Sequence, residues 1–359
     1  MSAHRSGAAL ALLAAVLFGI TAPVIPRVGA GVGPLTTASL LYLGAALAAV
    51  GARRRRPEPW AAGRPLVRRD LRTLTAMAVA GAAVAPVLLV LGLARTSATT
   101  ASLALNAETF FTVALAIAVH REPWRGPVAL GMVVMLAGGV LLAADSGRLS
   151  GGEDLLGLAL VLAATLAWAF DNTLSRAVSE ASPLSVVALK GALGAALTGL
   201  LAVFGGEPAP ALGAVAGLAA LGATGYGASL VVYLLAQRRL GAARTGSIFG
   251  LAPFVGAAVA LALGERSAGP LTAASAACFA VGLWVHAREA HEHVHEHEAL
   301  EHDHGHRHDD GHHDHHHDPP AQGAHSHLHR HEPLRHSHAH APDLHHRHRH
   351  DRPPRGGHR

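Results

Sequence analysis

The stretch YLLAQRRLGAARTGSIFGLAPFVGAAVALALGERSAGP, Tyr233 to Pro270, decides how the rest of the chain is read. Its centre, Thr245 to Leu263, contains no charged residue and approaches the roughly 20 apolar residues that a helix needs to cross a hydrocarbon core. Arg238 and Arg239 fence it on one side and Glu265 on the other. Pro253 stands inside it, and a proline within a helix leaves a carbonyl of the preceding turn without its donor. In lipid such a carbonyl must face protein or water, so the broken pattern at Gly250 to Phe254 predicts a helix that lines an interior.

Moving outward, ten stretches have this character. They run approximately from Ala8 to Ile25, Pro34 to Val50, Leu74 to Leu93, Ser97 to Val119, Val128 to Ala144, Leu155 to Leu174, Leu184 to Phe204, Leu212 to Ala236, Thr245 to Leu263 and Leu271 to Val285. The composition agrees: 50% of the 359 residues are hydrophobic, whereas 15% are charged and 4% aromatic. The first stretch reads as a retained helix and not a cleaved leader, because nine more follow it. Cys278 is the single cysteine and sits in an apolar run, which excludes a disulfide framework and a thiolate metal site. No nucleophile and base pair, phosphate loop or cofactor fingerprint occurs, so enzymatic chemistry is not expected.

Arginine sets the expected orientation, since loops facing the cytoplasm collect Lys and Arg near span ends. With the N-terminus inside, the inner loops receive Arg53 to Arg56, Arg64, Arg68, Arg69, Arg72, Arg121, Arg125, Arg176, Arg238 and Arg239. The outer loops receive Arg27, Arg95, Arg148 and Arg266. Charge of this kind reports topology, not a nucleic-acid partner. A multi-pass protein of the plasma membrane with both termini cytoplasmic is expected.

The chain also repeats itself. AAVLFGITAPVIPRV (Ala14 to Val28) lies over AATLAWAFDNTLSRA (Ala163 to Ala177), and HREPWRGPVALGMVVMLAGGV (His120 to Val140) lies over the segment from Gly264, with Glu122 over Glu265. Two halves of five spans result, residues 1–145 and 146–288. An odd number of spans per half inverts the second relative to the first, and carriers place their substrate where such repeats meet. The expected fold is therefore an all-α integral membrane protein, ten transmembrane helices in two inverted five-helix repeats, followed by a histidine-rich tail over 289–359.

The Tyr233 to Pro270 string, its counterpart LGLARTSATTASLALNAETFFTVALAIAVHREP (Leu91 to Pro123) and the ten-span count resemble the EamA family of the drug/metabolite transporter superfamily. The resemblance covers about Ala8 to Val285. It implies a secondary carrier or exporter of small organic molecules, with a cavity lined mainly by the first four helices of each half. Where the family has proline in its fourth helix, as at Pro253, the first half has Phe110 beside Glu108, so no substrate is carried over.

Ionisable residues within spans are costly and mark function. Glu108 falls roughly 17 Å from the outer end of its span, near the midplane. A carboxyl there can be neutral while occluded and ionised when wetted, which suits proton coupling or pairing with a cationic substrate. Its structural alternative is a buried, protonated carboxyl bonded to Asn106 or to a neighbouring helix. Asp171 and Lys190 both fall in the cytoplasmic third and could meet, as a tether or as part of the site. Asn106, Asn172, Thr21, Thr109, Phe18, Trp168 and Phe170 are weaker lining candidates; Thr245, Ser247 and Pro253 carry more weight. Glu122 and Glu265 read as helix-end anchors.

All but His4 and His120 of the 28 histidines lie from His286 onward. The segment after His286 allows a helix, on which His291 with His295 and His293 with His297 form i,i+4 pairs that could chelate an ion; beyond Gly305 the composition predicts disorder. His312, His313, His315, His316 and His317 are further candidate ligands. Neutral imidazole suits Zn, Ni, Co and Cu, and no metal is required by the membrane part. Mild acidification would make this tail cationic and draw it toward anionic lipid. Three functions compete: a small-metabolite carrier with a metal-binding tail, a divalent-metal exporter whose tail collects ions, and a non-transporting metal sensor. The expected partners are the lipid bilayer, a small-molecule substrate and divalent ions, with a homodimer left open.

Overall fold

The computed structural model describes residues 3–55, 63–120, 126–149, 152–178, 181–240, 242–265, 269–287, 291–297, 300–306, 325–331 and 334–340. The chain divides into two units, Met1–Glu289 and Ala290–Arg359.

Apart from an isolated bridge between Arg64 and Ala181, the regular structure described in the first unit is helical. In chain order its helices are α1 Ala3–Gly19, α2 Thr21–Val28, α3 Pro34–Arg55, α4 Asp70–Met77, α5 Ala85–Leu93, α6 Ala98–Ala104, α7 Ala107–His120, α8 Gly126–Leu149, α9 Gly152–Ser175, α10 Pro183–Phe204, α11 Leu212–Leu221, α12 Ser229–Leu240, α13 Ala242–Phe249, α14 Ala252–Ala262 and α15 Pro270–Ala287. Wide π turns, Ala78–Val84 and Gly222–Ala228, join α4 to α5 and α11 to α12. Six helical segments are long and apolar enough to cross a membrane: Ser6–Val28, Pro34–Arg54, Asp70–Leu93, Asp154–Ser175, Pro183–Phe204 and Leu212–Ala236. Ala129–Asp145, Ala252–Ala262 and Pro270–Val285 are shorter apolar helices.

The expected fourth and ninth spans are each broken in two. The ninth breaks at Gly250–Leu251, just before Pro253 in the first turn of α14. The fourth breaks at Leu105–Asn106 without a proline. There the Asn106 amide donates 3.1 Å to Leu103 O, a bond to its own preceding turn that competes with the helical ladder.

Helix α1 packs on α12, and α9 on α5; α3 packs on α10, α6 on α14 and α8 on α15. Small residues permit the close contacts. A Cβ on Gly222 would collide with the backbone of Leu41, and one on Gly44 with that of Ala219. Close approach of this kind replaces the hydrophobic drive that lipid removes. Between α8 and α15, Ser275 donates 2.7 Å to Gly138 O and Thr272 donates to Asp145.

Chain connections gather at the ends of the bundle. At one end Glu207 accepts from Leu35 N (3.0 Å) and Thr36 N (2.8 Å), capping α3. Glu265 caps α6 from Ala98 N (2.8 Å), Thr99 N (2.9 Å) and Thr99 Oγ1 (2.9 Å). Each supplies charge and acceptors to otherwise orphaned N–H groups. Arg27 reaches Leu263 O at 2.9 Å. At the opposite end of α3, Arg53 reaches Ser185 Oγ at 3.3 Å, while Arg64 holds Asp70 through contacts of 2.6 and 2.9 Å. Glu265 is thus a helix-end anchor; Glu122 lies outside the described residues.

The second unit corrects the expectation for the tail. Its described residues form four strands: β1 His291–His297, β2 Leu300–His306, β3 His325–His331 and β4 Leu334–His340. Strand β1 pairs antiparallel with β4, and β2 with β3. Residues 291–297 and 300–306 are strands where a helix was expected. The reason is the alternation itself: HEHVHEH and HSHLHRH repeat every second residue, which is the strand period, whereas the i,i+4 reading used only every second histidine. His312, His313, His315, His316 and His317 lie outside the described residues.

Candidate functional site

Helix α9 carries the centre of the candidate site. Trp168, Asp171 and Asn172 are separated by three and four positions, so they share one face over a single turn. Asn172 Nδ2 donates 2.5 Å to Glu108 Oε1 on α7. Glu108 lies in the first turn of α7, next to the break at Leu105–Asn106, where the N–H groups of Asn106, Glu108 and Thr109 bond carbonyls three residues back at 3.0, 3.1 and 3.2 Å. Asn106 is buried and bonds its own turn, so Glu108's partner is Asn172 and not Asn106.

Asp171, the neighbour of Asn172 on this turn, is paired from a different helix. Lys190 of α10 donates to its Oδ2, and both side chains are buried. The other carboxylate oxygen, Oδ1, is buried without a hydrogen-bond partner among the described residues. A buried acceptor left open in this way has unused bonding capacity.

The π turn before α5 supplies the third component, and its origin is local. In π register the carbonyl of Gly81 would pair with the N–H of residue 86, which is proline and has none. The freed oxygen accepts instead from Tyr42 OH at 2.5 Å and Trp168 Nε1 at 2.9 Å. Only glycine fits there, because a Cβ would collide with the Asp171 carboxylate. The second π turn repeats the arrangement: a Cβ on Gly225 would collide with Thr21 at the start of α2.

Around these groups lies a continuous aromatic cluster. Phe18 meets Trp168, Tyr226 and Phe249 at centroid separations of 6.1, 5.7 and 5.5 Å. Tyr42 meets Tyr226 at 5.2 Å, and Tyr233 meets Phe249 at 4.9 Å. All 3 tyrosines of the chain are therefore in this one cluster.

Of the residues expected from sequence, Glu108 and Asn172 come together, as do Asp171 and Lys190, and Trp168 and Phe18 lie in the aromatic cluster. Thr21 donates to Phe18 O within its own helix turn. Thr245 and Pro253 are buried on α13 and α14. Sequence reading missed Tyr42, Tyr226, Tyr233, Phe249 and Gly81. The rarity of tyrosine in so apolar a chain was the available signal. Among the described residues, no three His, Cys, Asp or Glu side chains group as a metal site.

A family model described as the EamA-like transporter family matches the chain twice, at residues 5–144 and 155–287. A curated protein described as an uncharacterized transporter, from Methanothermobacter thermautotrophicus, is 28% identical over 194 residues. That alignment covers 53% of this chain and 57% of the relative, so the chain spans a little over half the relative's length. A solved structure described only as a crystal structure of a protein matches with a TM-score of 0.58 at 20% identity. It covers 78% of this chain and 96% of the other, a likeness of fold.

Proposed function

The chain belongs to the EamA-like transporter family and is a multi-pass membrane transporter, and from that premise we propose that it exports small organic molecules by alternating access, with Glu108 as the site shared by a proton and a cationic substrate. The observation that carries this reading is the Glu108–Asn172 contact beside a broken helix, one turn of α9 from the aromatic cluster. A carboxylate next to aromatic faces is the chemistry that recognises an organic cation. Discontinuous helices are where carriers place their substrates. Asp171, Lys190 and Tyr42 are the other charged or titratable groups nearby, and the open oxygen of Asp171 offers an acceptor to a substrate donor.

The proposal includes ten crossings in two inverted halves, 1–145 and 146–288, in the plasma membrane with both termini cytoplasmic. Four features support it. The family model matches once per half. A two-fold relation between halves exchanges the α1–α12 contact with the α9–α5 contact, and both are present. Each half has a π turn in its third span and a break in its fourth. The arginine bias gives the orientation. Export of a divalent metal is the weaker reading, since it needs ligands along the passage and the described residues group none there.

The test begins with a thermal-stabilisation screen of purified protein against metabolites, organic cations among them. Compounds that stabilise are then followed in proteoliposomes under an imposed pH gradient. Glu108→Gln should abolish gradient-driven transport and the cation-dependent stabilisation together. Wild-type rates and an unchanged pH profile in that variant would remove Glu108 from the mechanism.

A further inference from the structure

Arg68, Arg69 and Arg72 stand exposed on a tightly held loop and helix start, and from them we infer a docking surface for the headgroup of an anionic phospholipid. The span Pro34–Arg54 ends and the span Asp70–Leu93 begins beside this loop, which places it at the depth where a bilayer carries its phosphates. The loop is fixed from several sides. Arg64 O accepts from Ser182 N at 3.3 Å, and Leu66 packs against the cluster around Leu74 and Val186. The Arg64 side chain is spent on Asp70, whose Oδ2 also accepts from Val67 N at 2.9 Å. Arg53, near the end of α3, reaches Ser185 of α10. The start of α10 thereby draws the ends of α3 and α4 together.

Two observations select a phospholipid as the occupant. First, the positive charge is unspent. Asp70 is the only acid between residues 63 and 72, and Arg64 already neutralises it. Among the described residues, the guanidinium groups of Arg68 and Arg72 make no hydrogen bond or ion pair. Second, apolar side chains are interleaved with the basic ones: Val67 is 42% exposed and Leu71 48%, each next in sequence to one of these arginines. At the boundary between acyl chains and headgroups the apolar side chain enters the hydrocarbon edge, while the guanidinium forks onto a phosphate. A soluble anion would use the arginines alone. Orientation in the membrane needs only that charge be present; here it is also held on a fixed loop, so little ordering remains to be done on binding. A lipid seated there braces α3 and α4 against α10, the helix that carries Lys190. The inference rests on the chain's being a membrane protein and stands whether or not Glu108 carries transport.

The experiment uses the full-length protein in neutral maltoside micelles, with phosphatidylglycerol as probe and the melting temperature as readout. Phosphatidylglycerol should raise the melting temperature at concentrations where phosphatidylcholine does not. An arginine near an anionic lipid surface contributes about fivefold in affinity, so Arg68→Gln with Arg72→Gln should move the half-effect concentration about thirtyfold higher. Arg68→Lys with Arg72→Lys should keep most of the response. Arg95→Gln, beyond the opposite end of the same span, should keep all of it. Val67→Ser with Leu71→Ser removes no charge and should still weaken the lipid response. These side chains are exposed, so the substitutions leave the packed interior untouched. Inorganic phosphate at matched concentration should leave the melting temperature unchanged. Equal half-effect concentrations in the wild type and the double glutamine variant would overturn the surface. Stabilisation by inorganic phosphate as large as that by the lipid would overturn its assignment to a phospholipid.

Discussion

Lys190 donates to Asp171 where both side chains are closed to solvent, and Gly81 packs so tightly on that carboxylate that no larger residue fits. A buried pair of this kind costs desolvation and returns it only while both members are present. Its two readings, a tether between α9 and α10 or part of the transport site, separate by experiment.

Lys190→Ala leaves a buried carboxylate uncompensated and should destabilise the protein by about 3–5 kcal/mol. Lys190→Met combined with Asp171→Leu should recover most of that loss in thermal unfolding of the solubilised protein. If the double variant also transports normally, the pair is a tether; if it is stable but inactive, the pair belongs to the site.

The expected crossings can be read by labelling. Ala30 and Ala209 are exposed in loops at the end capped by Glu207, and Arg53 is exposed at the other end. In a Cys278→Ser background, Ala30→Cys and Ala209→Cys should react with an impermeant maleimide on intact cells, whereas Arg53→Cys should react only after permeabilisation. Reaction of Arg53→Cys on intact cells would reverse the orientation.

Gly222 abuts the backbone of Leu41. Gly222→Val must push α3 away from the second π turn, at a cost of about 1–3 kcal/mol. The melting temperature should fall accordingly. Gly213→Val serves as the control, because a Cβ there meets nothing within 4 Å.

Glu265 accepts three hydrogen bonds at the start of α6. Glu265→Ala should lower stability by about 1–2 kcal/mol, as loss of a charged cap does. Glu265→Gln, which keeps an acceptor oxygen, should lose less in the same melting experiment.

Much of the membrane unit was legible because its signals are local. A run of apolar residues becomes a helix wherever it lies, and Pro253 announces the break between α13 and α14 from its own chemistry. Glu265 next to a helix end was equally plain. The break at Asn106 was harder, since it depends on a side chain bonding its own turn in competition with the ladder. Whether Glu108 bonds Asn106 or a neighbouring helix could not be decided without knowing which helix packs against α7. The π turns escaped notice for a similar reason: the missing N–H of Pro86 mattered only once Tyr42 and Trp168 had arrived from other helices. In the tail, a competing helical spacing obscured the two-residue alternation, and strand partners so distant in sequence leave no mark in either segment alone.

The crowding of Trp168 among Tyr42, Tyr226 and Phe18, with its indole N–H bound to Gly81, gives the protein an optical reporter of its own. Phenol rings this near pass excitation to the indole, whose emission responds to changes in polarity and in its hydrogen bond. A compound that enters the cluster would announce itself by a change in fluorescence, with no label attached.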